Sequence, residues 1–188
     1  DTYRNHGINK IHVVRGYKKE SINFPELNYI DNDDHETTSE LSSFHKAIDQ
    51  ISGDIVCSFG DVLFKPYLLQ LLDECEDDLV IVIDTQWKDS VNKDRAADYV
   101  NCSQPHSRAN YGDSIFLESA GENLGEDSIH GEWMGIIKIS SAIFPTVRKE
   151  VESLSKLENF DSMKMHHLLE HLCRLKQPIR VVYTTGNW

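Results

Sequence analysis

The sequence predicts an α/β fold with a mostly parallel sheet flanked by helices. Short aliphatic runs alternate with amphipathic patterns along the chain, which is the order expected of successive strand and helix units. Residues 79–83 are apolar at every position, as in a strand covered on both faces. With 188 residues, 39% of them hydrophobic, the chain fits a single domain over residues 1–188.

The first half of the chain supports this alternation. β-Branched residues predict a strand at 11–14, and a weaker extended segment follows at 27–30. Thr37 and Glu40 have the spacing of a capping box, which predicts a helix that runs to about Ile51. The remaining elements of this half are two aliphatic strands and the leucine-rich helix between them, predicted at 54–58, 79–83 and 66–76.

The second half begins with a looser pattern and returns to clear elements. Short apolar runs predict its strands, and apolar residues spaced three and four apart predict its helices. The elements expected here are strands at 98–102, 114–118, 134–139 and 179–183, and helices at about 141–154 and 161–176.

Composition excludes two classes of protein. The chain has 19 basic and 31 acidic residues, a net charge of −12, so we expect no basic surface for a nucleic-acid backbone. Its longest aliphatic run, 79–83, is far shorter than the roughly 20 residues that span a bilayer, so we expect no membrane association. A phosphorylated small molecule is compatible with this acidity if a divalent cation neutralises its charge.

Neither the cysteines nor the histidines predict zinc chemistry. The four cysteines include no C-x-x-C pair, and Cys57 and Cys173 lie in apolar patterns, so we expect buried reduced thiols and a cytoplasmic protein. His167 and His171 match the H-x-x-E-H zinc pattern formally. They fall opposite the apolar stripe of their helix, however, and we interpret them as solvated surface residues.

Two aspartates follow predicted strands. Asp61 comes after the strand at 54–58, and Asp84 closes the strand at 79–83. If these strands are parallel, both carboxylates lie at the edge where ligands of such sheets bind, and carboxylates there suit Mg²⁺. The alternative is that both aspartates only cap turns or helices, and the spacing alone does not decide between the two.

A series of segments resembles a known family. The segments are 11–20 (IHVVRGYKKE), 29–32 (YIDN), 36–44 (ETTSELSSF), 60–61 (GD), 84–87 (DTQW), 97–100 (ADYV), 131–135 (GEWMG) and 181–188 (VVYTTGNW). In this order they resemble the nucleotidyltransferases with a Rossmann-like, nucleotide-diphospho-sugar transferase fold. The later segments are most similar to the cytidylyltransferases that act on 2-aminoethylphosphonate or phosphocholine.

The resemblance implies a reaction and roles for particular residues. In this family Mg²⁺ activates the α-phosphate of a nucleoside triphosphate, here CTP, and a phosphonate or phosphate oxygen of a small amino-containing substrate attacks and releases pyrophosphate. Asp61 matches the metal ligand. Substrate-binding residues are expected at Asp84, Trp87, Asp98, Tyr99 and Glu132, and phosphate-binding residues at Arg15 and Lys18.

These side chains also have plain structural interpretations. Trp87 is equally well explained as a packing anchor, Tyr99 as a core residue and Glu132 as a surface carboxylate at a strand end. Arg15 and Lys18 fit ordinary surface positions as well as they fit phosphate binding.

The sequence departs from the family at both ends. The glycine-rich loop that holds the triphosphate does not precede Asp1, and the second metal aspartate would lie just beyond Trp188, so the resemblance implies a domain truncated at both ends. A sugar-1-phosphate nucleotidyltransferase and a non-catalytic nucleotide-binding remnant therefore stay open as alternatives. The phosphonate enzymes are often fused to a phosphoenolpyruvate mutase domain, which is an expected partner here, and a homodimer is compatible with the sequence.

Overall fold

A computed structural model describes residues 2–89, 96–110 and 112–186. Asn187 and Trp188, which end the last segment of the resemblance, lie outside the described residues. The described part of the chain forms a central six-stranded sheet with helices on both faces and a separate two-stranded parallel sheet. No helix in these residues is long and apolar enough to cross a membrane.

Strands and helices alternate along most of the chain. The strands are β1 His12–Arg15, β2 Asn28–Asp31, β3 Ile55–Ser58, β4 Leu79–Asp84, β5 Tyr99–Cys102, β6 Leu117–Gly121, β7 Gly131–Ile139 and β8 Arg180–Thr184. The helices are α1 Thr2–Asn5, α2 Glu40–Ala47, α3 Tyr67–Glu74, α4 Phe144–Leu154 and α5 Met165–Arg174.

The central sheet has the order β6-β5-β7-β4-β8, and β3 pairs with β7 beside β5. β7 is antiparallel to β3, β4 and β5, whereas β8 is parallel to β4 and β6 is antiparallel to β5. Four of the six strands described therefore run in one direction, which confirms the mostly parallel α/β fold. β1 and β2 pair separately, in parallel.

The buried strand β4 divides the core between the two faces of the sheet. Leu79, Ile81 and Ile83 pack in one cluster with residues of α2, α4 and α5, whereas Val80 and Val82 pack against α3 on the other face. Every residue of β4 is buried. Alternate side chains point to opposite faces, so burial on both faces explains why this strand has no polar residue before its last position.

The predicted capping box of Thr37 and Glu40 is wrong. The Thr37 hydroxyl donates to the backbone carbonyl of Asp34 at 3.1 Å, so it stabilises the preceding turn, and α2 begins only at Glu40, after Ser39. Local turn hydrogen bonds compete with helix capping for such hydroxyls. The helix also ends at Ala47, before the predicted end at Ile51.

The strand predicted at 114–118 is displaced. β6 occupies Leu117–Gly121, where it pairs with β5. Phe116 forms an isolated bridge with Arg180, and the Ile115 carbonyl accepts a hydrogen bond from the Val181 amide at 2.8 Å. The first part of the predicted strand therefore pairs with β8 and does not belong to β6. These tertiary pairings decide where β6 begins.

The four cysteines are free thiols, and burial makes them weakly acidic. Burial raises the pKa of Cys57 and Cys102 to about 11 and the pKa of Cys173 to about 12. Thiolate is the reactive form, so we expect these cysteines to react with iodoacetamide far more slowly in the folded protein at pH 8 than in urea. Mass spectrometry of timed samples measures both rates, and equal rates would contradict the burial.

The same pKa shifts fix the direction of a pH effect. The folded-state pKa values lie above the ordinary value of 9.0, so between pH 9 and 11 the folded chain binds more protons than the unfolded chain. The contribution of these thiols to the free energy of unfolding therefore falls as the pH rises through this window.

Candidate functional site

Three predicted substrate residues lie side by side across the central sheet. Asp84, the last residue of β4, pairs with Glu132 of β7, and Glu132 pairs in turn with Tyr99, the first residue of β5. Directly paired residues point to the same face of a sheet, so these three side chains form one row, which we call the polar row. Asp84 is 5% exposed and Glu132 only 3%. The interpretation of Glu132 as a surface carboxylate is therefore wrong.

Asp84 connects two strand ends. Its Oδ1 accepts hydrogen bonds from the backbone amides of Gln86, at 2.9 Å, and Gly186, at 3.0 Å. The first bond closes the turn after β4, and the second joins this turn to the segment after β8. The carboxylate thus has a clear structural role at the edge of the sheet.

Removal of the Asp84 carboxylate should destabilise the folded chain by a measurable amount. We expect Asp84→Ala to lower the free energy of unfolding by about 3 kcal/mol, because it leaves two amide donors without the charged acceptor. Asp84→Asn keeps an oxygen acceptor and should be destabilised less. Urea unfolding measures both variants, and equal stability of Asp84→Ala and the wild type would contradict this role.

Trp87 and Tyr99 form an aromatic pair beside the polar row. Their rings meet edge to face with centroids 5.0 Å apart, and both residues are half-buried. The Lys88 ammonium lies 5.0 Å from the Trp87 ring, which shows that a cation can reach this indole. Aromatic faces next to the buried carboxylate of Glu132 provide the chemistry that binds an ammonium group.

Asp61 lies on the exposed turn after β3. The turn is anchored to β7, because the Phe59 amide donates to the Gly135 carbonyl at 3.1 Å and the Phe59 ring packs edge to face against Trp133. β3 and β4 both run antiparallel to β7, so Asp61 and Asp84 follow strands that end toward the same edge of the sheet. The two strands flank β7 on opposite sides.

Asp98 is separated from the other predicted substrate residues. It immediately precedes Tyr99 and therefore points to the opposite face, where its Oδ1 lies 2.7 Å from Nδ1 of His166 in α5. The structure thus brings Asp84, Trp87, Tyr99 and Glu132 together but not Asp98. His166 is only 5% exposed, and sequence reasoning missed it because it lies beside an apolar stripe.

The predicted phosphate-binding pair lies in the two-stranded sheet. The Arg15 guanidinium, at the end of β1, pairs with Asp31 at 2.8 Å and stacks 3.9 Å from the Tyr29 ring. Lys18 is an exposed cation in a left-handed turn, with its ammonium 5.1 Å from the Tyr17 ring. Arg15 is thus engaged by a carboxylate, and Lys18 is the more accessible of the two cations.

A curated protein is similar in sequence over most of the chain. No family model matches the chain. CTP:phosphoglutamine cytidylyltransferase from Campylobacter jejuni is 24% identical over 198 residues, covering 97% of this chain and 77% of the relative.

Solved structures have the same fold. The inositol-1-phosphate CTP transferase from T. maritima superimposes with a TM-score of 0.74 at 15% identity, covering all of this chain and 71% of that one. The CTP:phosphocholine cytidylyltransferase from Streptococcus pneumoniae does so with a TM-score of 0.58 at 10% identity, covering 99% and 74%. A UDP-glucose pyrophosphorylase has a TM-score of 0.69 at 8% identity, covering 99% and 76%. The chain therefore has the Rossmann-like fold of nucleotide-diphospho-sugar transferases.

Proposed function

We propose that this chain is a Mg²⁺-dependent cytidylyltransferase that transfers CMP from CTP to a phosphonate or phosphate oxygen of a small amino-containing acceptor such as 2-aminoethylphosphonate. Pyrophosphate is the second product. The observation that carries the proposal is the polar row of Asp84, Glu132 and Tyr99, flanked by Trp87, at the end of β4. In α/β sheets, ligands bind at this kind of edge.

The chemistry of the row favours a cationic acceptor. Glu132 places a carboxyl group in a buried position, where attraction between its ionised form and a cation is stronger than in water, and Trp87 and Tyr99 supply aromatic faces. The Streptococcus neighbour is named for phosphocholine, which carries a quaternary ammonium group, and the Campylobacter relative for phosphoglutamine. Both names support an acceptor with a nitrogen-bearing group and a phosphorylated group.

Binding of the triphosphate is proposed for residues outside the polar row. The exposed Asp61 carboxylate has the hard oxygen donors that Mg²⁺ prefers, alongside water and phosphate oxygens. When bound, Mg²⁺ supplies charge neutralisation for the triphosphate. Lys18, and Arg15 if it exchanges Asp31 for a ligand, add positive charge after β1. Positioning and charge neutralisation account for most of the catalysis of such transfers.

A sugar-1-phosphate nucleotidyltransferase is the second candidate. It is supported by the similarity of the fold to a UDP-glucose pyrophosphorylase. A non-catalytic nucleotide-binding protein is a third outcome of the same assay. The four free, buried or half-buried cysteines support a reducing, cytoplasmic location for any of these functions.

Pyrophosphate release tests the proposal. The complete natural protein that contains these residues is incubated with Mg²⁺ and either CTP or UTP, against 2-aminoethylphosphonate, phosphocholine and glucose 1-phosphate. We expect turnover with CTP and an amino-containing acceptor. Turnover only with glucose 1-phosphate would favour the second candidate, and nucleotide binding without turnover for any pair would overturn the catalytic proposal.

Trp87 offers a test of acceptor binding. We expect Trp87→Ala to raise the KM for the amino-containing acceptor by about 2- to 30-fold, with little change in kcat, because a cation–π contact contributes about 0.5–2 kcal/mol. Trp87→Phe retains a ring and serves as the matched control. A rise in the KM for CTP as large as the rise for the acceptor would show that Trp87 only maintains the local structure.

A further inference from the structure

We propose that Asp98, Glu122 and His166 form a binding site for a first-row transition-metal ion, such as Zn²⁺ or Mn²⁺, separate from the site for the magnesium–nucleotide complex. Each of the three residues offers one ligand atom, and these atoms lie within 4.8 Å of one another. We call this set the α5 cluster.

The fold brings the α5 cluster together from three elements. Tyr99 of β5 pairs with Gly121 of β6, so Asp98, just before β5, and Glu122, just after β6, are neighbours. α5 packs on β6 and places His166, in its first turn, against Asp98. Three donor atoms from separate parts of the chain thus lie close together. The tertiary fold produces this arrangement, because the three residues are far apart in the sequence.

The donor set distinguishes the metal. One imidazole nitrogen and two carboxylate oxygens suit Zn²⁺, Mn²⁺ or Fe²⁺, whereas Mg²⁺ prefers oxygen ligands alone. His166 is 5% exposed, and the Asp98 side chain is 15% exposed. Partial exclusion of water strengthens the attraction of both carboxylates for a cation.

A cation of the protein already balances part of this charge. The Lys164 ammonium forms an ion pair with Glu122. The His167 ring stacks on His166 with centroids 4.1 Å apart. With His166 neutral, the form in which it binds a metal, the two carboxylates face one ammonium and carry an excess negative charge. A metal ion would compete with Lys164 for Glu122.

The α5 cluster lies on a different face of the sheet from the polar row. Asp98 precedes Tyr99 and points to the α5 side, whereas Tyr99 belongs to the polar row. A metal ion bound by Asp98, Glu122 and His166 would join the amino end of β5 to α5 without occupying the acceptor site.

Metal titration tests the site. The complete protein, stripped of metal, is titrated with Co²⁺, whose visible absorption reports nitrogen and oxygen ligands, and then with Zn²⁺ in competition. We expect one ion bound per chain, and an affinity at least about tenfold lower in His166→Gln, since even residues that only support ligands contribute about 10- to 100-fold. His171→Gln is the matched control, because His171 lies in the same helix but pairs with Glu150 at 2.9 Å; it should bind as the wild type does.

Two further variants keep the test decisive. Glu122→Gln alters a residue whose side chain is 33% exposed, so it should fold even if His166→Gln does not, and it should weaken binding as strongly. Lys164→Met removes the competing ammonium and should tighten binding. Failure of the wild type to bind Co²⁺ or Zn²⁺, unchanged affinity in Glu122→Gln, or weaker binding in Lys164→Met would overturn the proposal.

Discussion

We expect Asp61→Asn to lower the rate of nucleotidyl transfer by at least about a hundredfold, because it removes the negative charge proposed to hold the metal that stabilises charge in the transition state. The folded state should be unaffected, since Asp61 lies on an exposed turn and surface substitutions of this kind change stability by about 0.5 kcal/mol or less. Pyrophosphate release measures the first effect, and urea unfolding measures the second.

The control for Asp61 is an exposed carboxylate on a different segment of the chain. Glu158 is exposed on the segment that follows α4, and Glu158→Gln makes the same change of charge. It should transfer nucleotide at the wild-type rate. If Asp61→Asn and Glu158→Gln have similar activity, Asp61 is not a metal ligand. The proposed binding of the magnesium–nucleotide complex would then be wrong.

We expect Gly135→Ala to destabilise the folded chain strongly, by about 2–5 kcal/mol, the sum of a backbone cost and a packing cost. Gly135 has φ +70°, and a Cβ atom there would lie 2.2 Å from a ring carbon of Phe59. The left-handed backbone costs about 1–2 kcal/mol and the overpacking about 1–3 kcal/mol. Urea unfolding measures the loss.

The same substitution should also reduce activity. Phe59 anchors the turn that carries Asp61, through its contacts with Gly135 and Trp133. Displacement of the Phe59 ring by the added methyl group would therefore move Asp61, the proposed metal ligand. Gly125→Ala is the matched control, because its backbone has φ −60° and its Cβ would meet Ser128 Oγ at 3.5 Å, an ordinary contact. Similar stability for the two alanine variants would contradict the close packing at Gly135.

Elements with a strong local pattern could be predicted from the sequence. Residues 79–83 are uniformly aliphatic because β4 is covered on both faces, and the structure places the strand there. The stripe of Met165, Leu168, Leu169 and Leu172 likewise predicted the buried face of α5. In these two elements the apolar pattern results from burial alone. The sequence of the segment is therefore enough to predict the element.

Elements that depend on distant partners could not be placed by pattern. Residues 114–116 are as compatible with a strand as 117–121, and only the pairing of β6 with β5, and of Phe116 with Arg180, decides between them. Thr37 and Glu40 have the spacing of a capping box, but the Thr37 hydroxyl bonds to Asp34. In both cases several local arrangements are similar in energy, and tertiary contacts select one.

In the candidate site, too, some features could be predicted from the sequence and others depend on tertiary contacts. The positions of Asp61 and Asp84 after successive strands could be predicted, because strand ends are visible in the sequence. The opposite directions of Asp98 and Tyr99 follow from the alternation of adjacent residues in the predicted strand. Which of the two belongs to the polar row depends on the pairing of Tyr99 with Glu132, which the sequence does not reveal. Glu122 and His166 were missed for a related reason, since they meet only through the pairing of β6 with β5 and the packing of α5.

A crystal structure of the complete protein with Mg²⁺ and a non-hydrolysable CTP analogue tests the central claim most directly. We expect the ion within about 2.0–2.1 Å of an Asp61 carboxylate oxygen, the phosphates at the edge where β3 and β4 end, and the faces of Trp87 and Tyr99 unobstructed by the nucleotide. A magnesium–nucleotide complex bound elsewhere, with the Asp61 side chain directed into solvent, would contradict the proposed function.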